Sequence, residues 1–150
     1  MGDAAGAEKS RSVGKSFEDI FKRQAQIQGV FIEKNPTACK LGWNGRPVVI
    51  EGELDWKLIL KGITGFFDTK TFDKPKFTYS SIKEHQIERA ALYDELGVPS
   101  GFVVWFREIN KVVFYKGAVI KAGGARTSFT PADGKILGSW FDFSIKELFK

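Results

Sequence analysis

Between Glu53 and Lys70 the chain reads ELDWKLILKGITGFFDTK, and its apolar positions alternate. Leu54, Trp56, Leu58 and Leu60 take every second place, with Asp55, Lys57 and Ile59 between them. Ile63 and Phe67 carry the apolar face onward past Lys61-Gly62. A period of two predicts a β-hairpin with one apolar face and one face free for chemistry. If Lys61-Gly62 is a two-residue loop, Leu60 pairs with Ile63. Counting outward then sets Asp55 opposite Asp68 and Glu53 opposite Lys70. Directly opposed residues have Cβ atoms about 5 Å apart, and two carboxylates that close repel unless a cation lies between them. Lys70, two residues beyond Asp68, points to the same face.

The rest of the pattern surrounds this hairpin. Phe17, Ile20, Phe21 and Gln24 share one face of a helix that starts at Ser16, an N-cap with Asp19 three residues on, and fades at Gln28-Gly29. Glu18 borders that face as a first-turn carboxylate favoured by the helix dipole. Val30 to Lys34 reads as a strand, ended by Asn35-Pro36-Thr37. Lys40 to Ile50 reads as a protruding hairpin around Asn44-Gly45.

A second helix is predicted from about Ser81 to Leu96, with Ser81 and Glu84 as a capping box, Gly97 as the C-cap and Pro99 blocking continuation. Its stripe is Ile82, Gln86, Ala90 and Tyr93. Gly101 to Phe106 is an unbroken apolar run, the pattern of a central strand covered on both faces. A helix between it and the preceding strand makes a β-α-β crossover. Lys111 to Tyr115 is its hairpin partner across Ile109-Asn110. Residues 116–121 extend that strand or bend away, 123–134 read as loop, and SWFDFSIKELFK is an amphipathic C-terminal segment.

Composition narrows the class. With 150 residues, 43% hydrophobic and 14% aromatic, the chain suits one folded domain over 14–150 behind a flexible arm at 1–13. The formal net charge of +5 gives a long-range attraction for polyanions. One cysteine, Cys39, excludes an internal disulfide and a cysteine-only metal cluster. Apolar runs are strand-length, and the first residues lack the apolar core of a signal peptide, so a cytoplasmic, non-membrane protein is expected.

Several side chains admit two roles. Lys9 and Arg11 in the arm either touch a nucleic-acid backbone or are merely solvated, and Lys15 just beyond the arm is a candidate for DNA contact. Lys40, Trp43 and Arg46 lie close together near the hairpin tip, where Trp43 either contacts a nucleic acid or packs onto the sheet. Lys34, Lys74, Lys76 and Arg126 are further candidates for phosphate contact. His85 is structural or faces DNA. Gln86, a polar amide on a buried stripe, either reaches an active site or is a satisfied core glutamine.

The ordered pieces GKSFEDIF (14–21), EKNPT (33–37), GELD (52–55), FFDTK (66–70), EHQIERA (84–90) and GVPSGFVVWF (97–106) resemble the restriction-endonuclease-like superfamily, the PD-(D/E)xK nucleases. They are most similar to Holliday-junction resolvases of the RecU and archaeal Hjc types, and TSFTPADG and WFDFSIKEL extend the resemblance over most of 14–150. It implies an α/β fold with a mixed central sheet flanked by helices. It implies Asp55, Asp68, the Thr69 carbonyl and Glu18 as ligands of Mg²⁺ or Mn²⁺, with Lys70 and Gln86 completing the catalytic set. It further implies paired nicks in four-way DNA junctions by a homodimer, in a bacterial or phage-infected cell. Related nucleases of branched, mismatched or duplex DNA, and a non-catalytic DNA-binding protein on the same fold, are the alternatives. The chain departs from the resolvase pattern in having Asp68 where glutamate is usual, Glu53-Leu54 before Asp55, and a short 40–50 segment.

Overall fold

Side-chain alternation and helical periodicity produce a layered α/β structure, seen in a computed structural model that describes residues 16–35, 45, 54–123 and 128–150, and the backbone of 38–41 and 47–50. Helix α1 covers 16–27. Ser16 is already helical rather than a cap. Gly29, at φ 74°, reverses the chain after α1 into β1 (Phe31–Lys34). Strands β2 (Ala38–Leu41) and β3 (Pro47–Ile50) pair antiparallel as a separate two-stranded sheet, with Gly45 at φ 76° between them.

The hairpin that the alternation predicts is β4 (Trp56–Leu60) and β5 (Ile63–Phe72), with Leu60 opposite Ile63 and Trp56 opposite Phe67. Lys61 and Gly62 have φ of 50° and 80°. Both central residues of a type I′ turn need positive φ, the turn whose twist suits a two-residue hairpin. After β5 come β6 (Phe77–Thr78), a short 3₁₀ turn at Tyr79–Ser81, and α2 (Glu84–Glu95). Ser81 does not cap α2. Its hydroxyl donates to Thr78 O at 2.6 Å, closing the 3₁₀ turn, so Lys83 stands at the N-cap. Gly97 ends the helix at φ 80°.

β7 (Ser100–Phe106) then runs parallel to β5, with α2 as the crossover, and antiparallel to β8 (Lys111–Lys116). After Lys116, residues 117–121 do not extend β8 but bend away from it. They belong to α3 (Gly117–Ala122). Asp94 of α2 accepts the Ala118 N–H at 3.0 Å, and a Cβ on Gly117 would lie 2.3 Å from Ala90 O. The helix start is thus satisfied and seated by α2, a contact no local pattern reveals. β9 (Ser128–Phe129) pairs with β6, β10 (Lys135–Ser139) adds to β8, and β11 (Asp142–Phe143) adds to β10.

The main sheet has the order β1-β4-β5-β7-β8-β10-β11. Both of its faces are covered at the central strands. On one face α1 and the C-terminal segment cover Trp56, Leu58, Phe67, Val103 and Phe114. On the other, α2 and α3 cover Phe102, Val104, Phe106, Val113 and Tyr115. Strict alternation along β4 groups Leu54 with Trp56, but Leu54 joins the α2-side cluster. A bend at Asp55 breaks the period there. Among the described residues no helix is long and apolar enough to cross a membrane.

Candidate active site

β5 is flanked by β4 on one side and β7 on the other, so a side chain at its middle is far from solvent. Asp68 occupies that position, opposite Phe102 of β7, and is fully buried. Its neighbours on the α2 side of the sheet are mainly apolar. Lys70 Nζ lies 3.0 Å from Asp68 Oδ2, and the lysine side chain remains 23% exposed, so the pair spans the interior and the surface. On the β4 side, Asp55 is the residue after the last ladder pair and the next partner of Asp68 in register.

These surroundings hold the Asp68 carboxyl well above its ordinary range, pushed up to about 7 from 3.8. Burial is the largest cause. Lys70 opposes it, and the nearby Asp55 carboxylate raises it further. Both Asp68 oxygens are buried with no hydrogen-bond partner. Lys70 thus supplies charge from within ion-pair distance without satisfying the oxygen as a well-directed donor.

Buried polar atoms in native proteins are nearly always paired. Among the described residues, the buried side-chain atoms without partners are the two Asp68 oxygens and Gln86 Oε1. All three are acceptors, so the group they lack is a donor or a cation. Asp55 and Asp68 form an all-oxygen donor pair beside a lysine, which fits a hard divalent ion such as Mg²⁺ or Mn²⁺. Gln86 is buried in the first turn of α2, which packs on the same side of the sheet.

The remaining sequence candidates are distributed more widely. Glu18 faces Lys34 across 3.8 Å, and Lys34 Nζ sits 5.8 Å from the Trp56 ring centroid. Among the described residues no three His, Cys, Asp or Glu side chains form a group that could hold a metal. Glu18 therefore stands apart from the Asp55–Asp68 pair. Thr69 points away from Asp68, its Oγ1 accepting the Trp56 Nε1–H at 3.3 Å. Lys74 pairs with Glu108 at 3.5 Å, and Lys76 is exposed. His85 lines a groove of about 720 Å³ with Glu84, Glu88, Glu95, Arg89 and Lys121. That lining is net acidic and includes none of the Asp55, Asp68 and Lys70 group, so it does not favour phosphate. Lys15, Trp43, Arg46 and Arg126 lie outside the described residues, as does the side chain of Lys40.

Two residues that the sequence pattern passed over bond to the strands that carry the site. Trp56 reads as a core aromatic, yet its indole reaches the strand that carries Asp68 and Lys70. Asn35 reads as a strand terminator, yet it donates twice to the backbone at Leu54 and Asp55. The available signal is an asparagine directly before Pro36 at a strand end, which marks a turn and does not reveal its partner.

No family model matches the chain, and no curated protein gives a significant match. Among solved structures it is similar to Hjc, a Holliday junction resolvase from the archaeal hyperthermophile Archaeoglobus fulgidus, determined at 1.6 Å. The TM-score is 0.58 at 11% identity, over 82% of this chain and 95% of that chain. The likeness is one of fold, an α/β architecture with a mixed central sheet flanked by helices.

Proposed function

We propose that the chain is a divalent-cation-dependent endodeoxyribonuclease that resolves four-way DNA junctions by paired nicks. The observation that carries this reading is the pair of buried, unpartnered Asp68 oxygens held between Asp55 and Lys70. An acceptor pair of this kind has little structural value alone, because leaving it unsatisfied costs stability. The similarity in fold to a Holliday junction resolvase supports DNA as the substrate.

In this mechanism Asp55 and Asp68, with the Thr69 carbonyl, would hold Mg²⁺ or Mn²⁺. The cation when bound neutralises charge on the scissile phosphate and acidifies water. Lys70 orients the attacking water and stabilises the charge that grows on the phosphate oxygens. Water adds to phosphorus, and the bond to the 3′ oxygen breaks, leaving a 5′-phosphate and a 3′-hydroxyl. Gln86 supplies an amide that contacts the site from α2. Glu18, which faces Lys34 in this structure, would be a further ligand. Lys34, Lys74 and Lys76, with Lys15, Lys40, Trp43, Arg46 and Arg126, bind the DNA backbone without reading sequence. Two nicks across a near-symmetric junction require two sites, so the working form is a twofold homodimer.

Cleavage of a four-way junction, a flap and a linear duplex, compared side by side with Mg²⁺, tests the reading. The junction should be cut preferentially. Asp68→Asn and Lys70→Ala should each lower cleavage by at least about a hundredfold while junction binding persists. Preferential cutting of flap or duplex would reassign the substrate within the fold. Full cleavage by either variant would sink the site.

A further inference from the structure

The β4–β5 ladder stops at Trp56 opposite Phe67, one residue short of Asp55 and Asp68. Asp55 itself is a bend, and Leu54 before it turns into the α2-side core instead of following the alternation. Strand pairing with β5 therefore does not fix Asp55. Its described backbone anchor comes from the other side, at the end of β1. The Asn35 N–H donates to Asp55 O at 2.7 Å, which carries the β1–β4 register, last paired at Lys34 and Trp56, one residue further. The Asn35 side chain then donates through Nδ2 to Leu54 O at 2.8 Å. Pro36, which follows, has no N–H to give. One asparagine thus holds two successive carbonyls at the bend, both at good hydrogen-bond distance.

We infer that Asn35 is a positioning residue for the cation site: its side-chain amide fixes the Leu54–Asp55 bend and so holds the Asp55 carboxylate against Asp68. It touches neither substrate nor cation and acts through Asp55. The inference rests on the proposed cation site. Without the amide, the Leu54 carbonyl loses its partner, the bend relaxes toward regular strand, and the Asp55 side chain swings off Asp68. The Asn35 backbone bond to Asp55 survives any side-chain change, so the loss is one of aim more than of fold.

Mn²⁺ binding to the full chain without DNA, followed by electron paramagnetic resonance, tests this independently of activity. Wild type is compared with Asn35→Ala, Asn35→Ser and Asn35→Gln, and with Asp55→Asn as the reference for a lost ligand. Near-UV circular dichroism and Tm are recorded for each. Supporting groups behind metal ligands typically contribute 10–100-fold in affinity. Asn35→Ala and Asn35→Ser should weaken Mn²⁺ binding about tenfold, and Asn35→Gln, which keeps the amide, should recover part of that loss. If a folded Ala or Ser variant binds Mn²⁺ as wild type does while Asp55→Asn does not, Asn35 serves stability alone and the inference is overturned. If wild type and Asp55→Asn titrate alike, the cation site itself falls, and the role of Asn35 falls with it.

Discussion

Asp68 ties its own titration to the stability of the fold. The folded chain binds the Asp68 proton up to a pH of about 7, against 3.8 for an ordinary aspartate. A proton held more tightly by the folded state stabilises that state while it is bound. The contribution is complete below about pH 4 and is lost as pH rises toward 7. Asp68→Asn is neutral throughout and has no such loss. The Tm of metal-free wild type should therefore fall relative to that of Asp68→Asn between pH 4 and 8. Excess Mn²⁺ should reverse the trend, because a bound cation favours the ionised carboxylate. A Tm difference that stays flat across this range would show that Asp68 ionises freely and that burial does not govern it.

Among the secondary elements, local pattern carried the parts that local physics determines. The alternation around Lys61-Gly62 gave the register from Leu60–Ile63 out to Trp56–Phe67, one step short of Asp55 and Asp68, because a two-residue turn leaves no freedom in the pairing. The apolar run at 101–106 marked the doubly covered β7, and the stripe of α2 put Gln86 inward. What stayed hidden depends on distant partners. The Leu54 position follows from the bend that Asn35 holds nineteen residues away, and α3 begins where Asp94 can cap it. The Glu18–Lys34 pair joins two elements whose separate patterns say nothing of each other. The α2–α3 contact yields a prediction at this scale. Gly117→Ala would set a methyl 2.3 Å from Ala90 O, against backbone that cannot yield cheaply. It should cost about 1–3 kcal/mol in denaturant unfolding and leave Mn²⁺ binding at the far strands unchanged. Undiminished stability would mean that the two helices part readily.

Across the whole molecule, the two sides of β5 differ in what they demand of the chain. Its pairing with β4 closes a two-residue turn, whereas its parallel pairing with β7 brings Phe66 to Ser100 across the whole of α2. Contacts near in sequence form early, and distant ones wait on loop closure. The hairpin can thus bring Asp55 near Asp68 while both still face water, and the α2 layer covers Asp68 afterwards. In that order Asp68 begins refolding as an ionised carboxylate and becomes buried as a neutral acid. Metal-free refolding near pH 6, in weak buffer with an indicator dye, should therefore consume a proton in the late phase when tertiary signals appear. Asp68→Asn should refold without that uptake. The strand crossover that buries the acid would then act as a clock, so that both carboxylates face water in the unfinished chain and Asp68 is covered only in the finished fold.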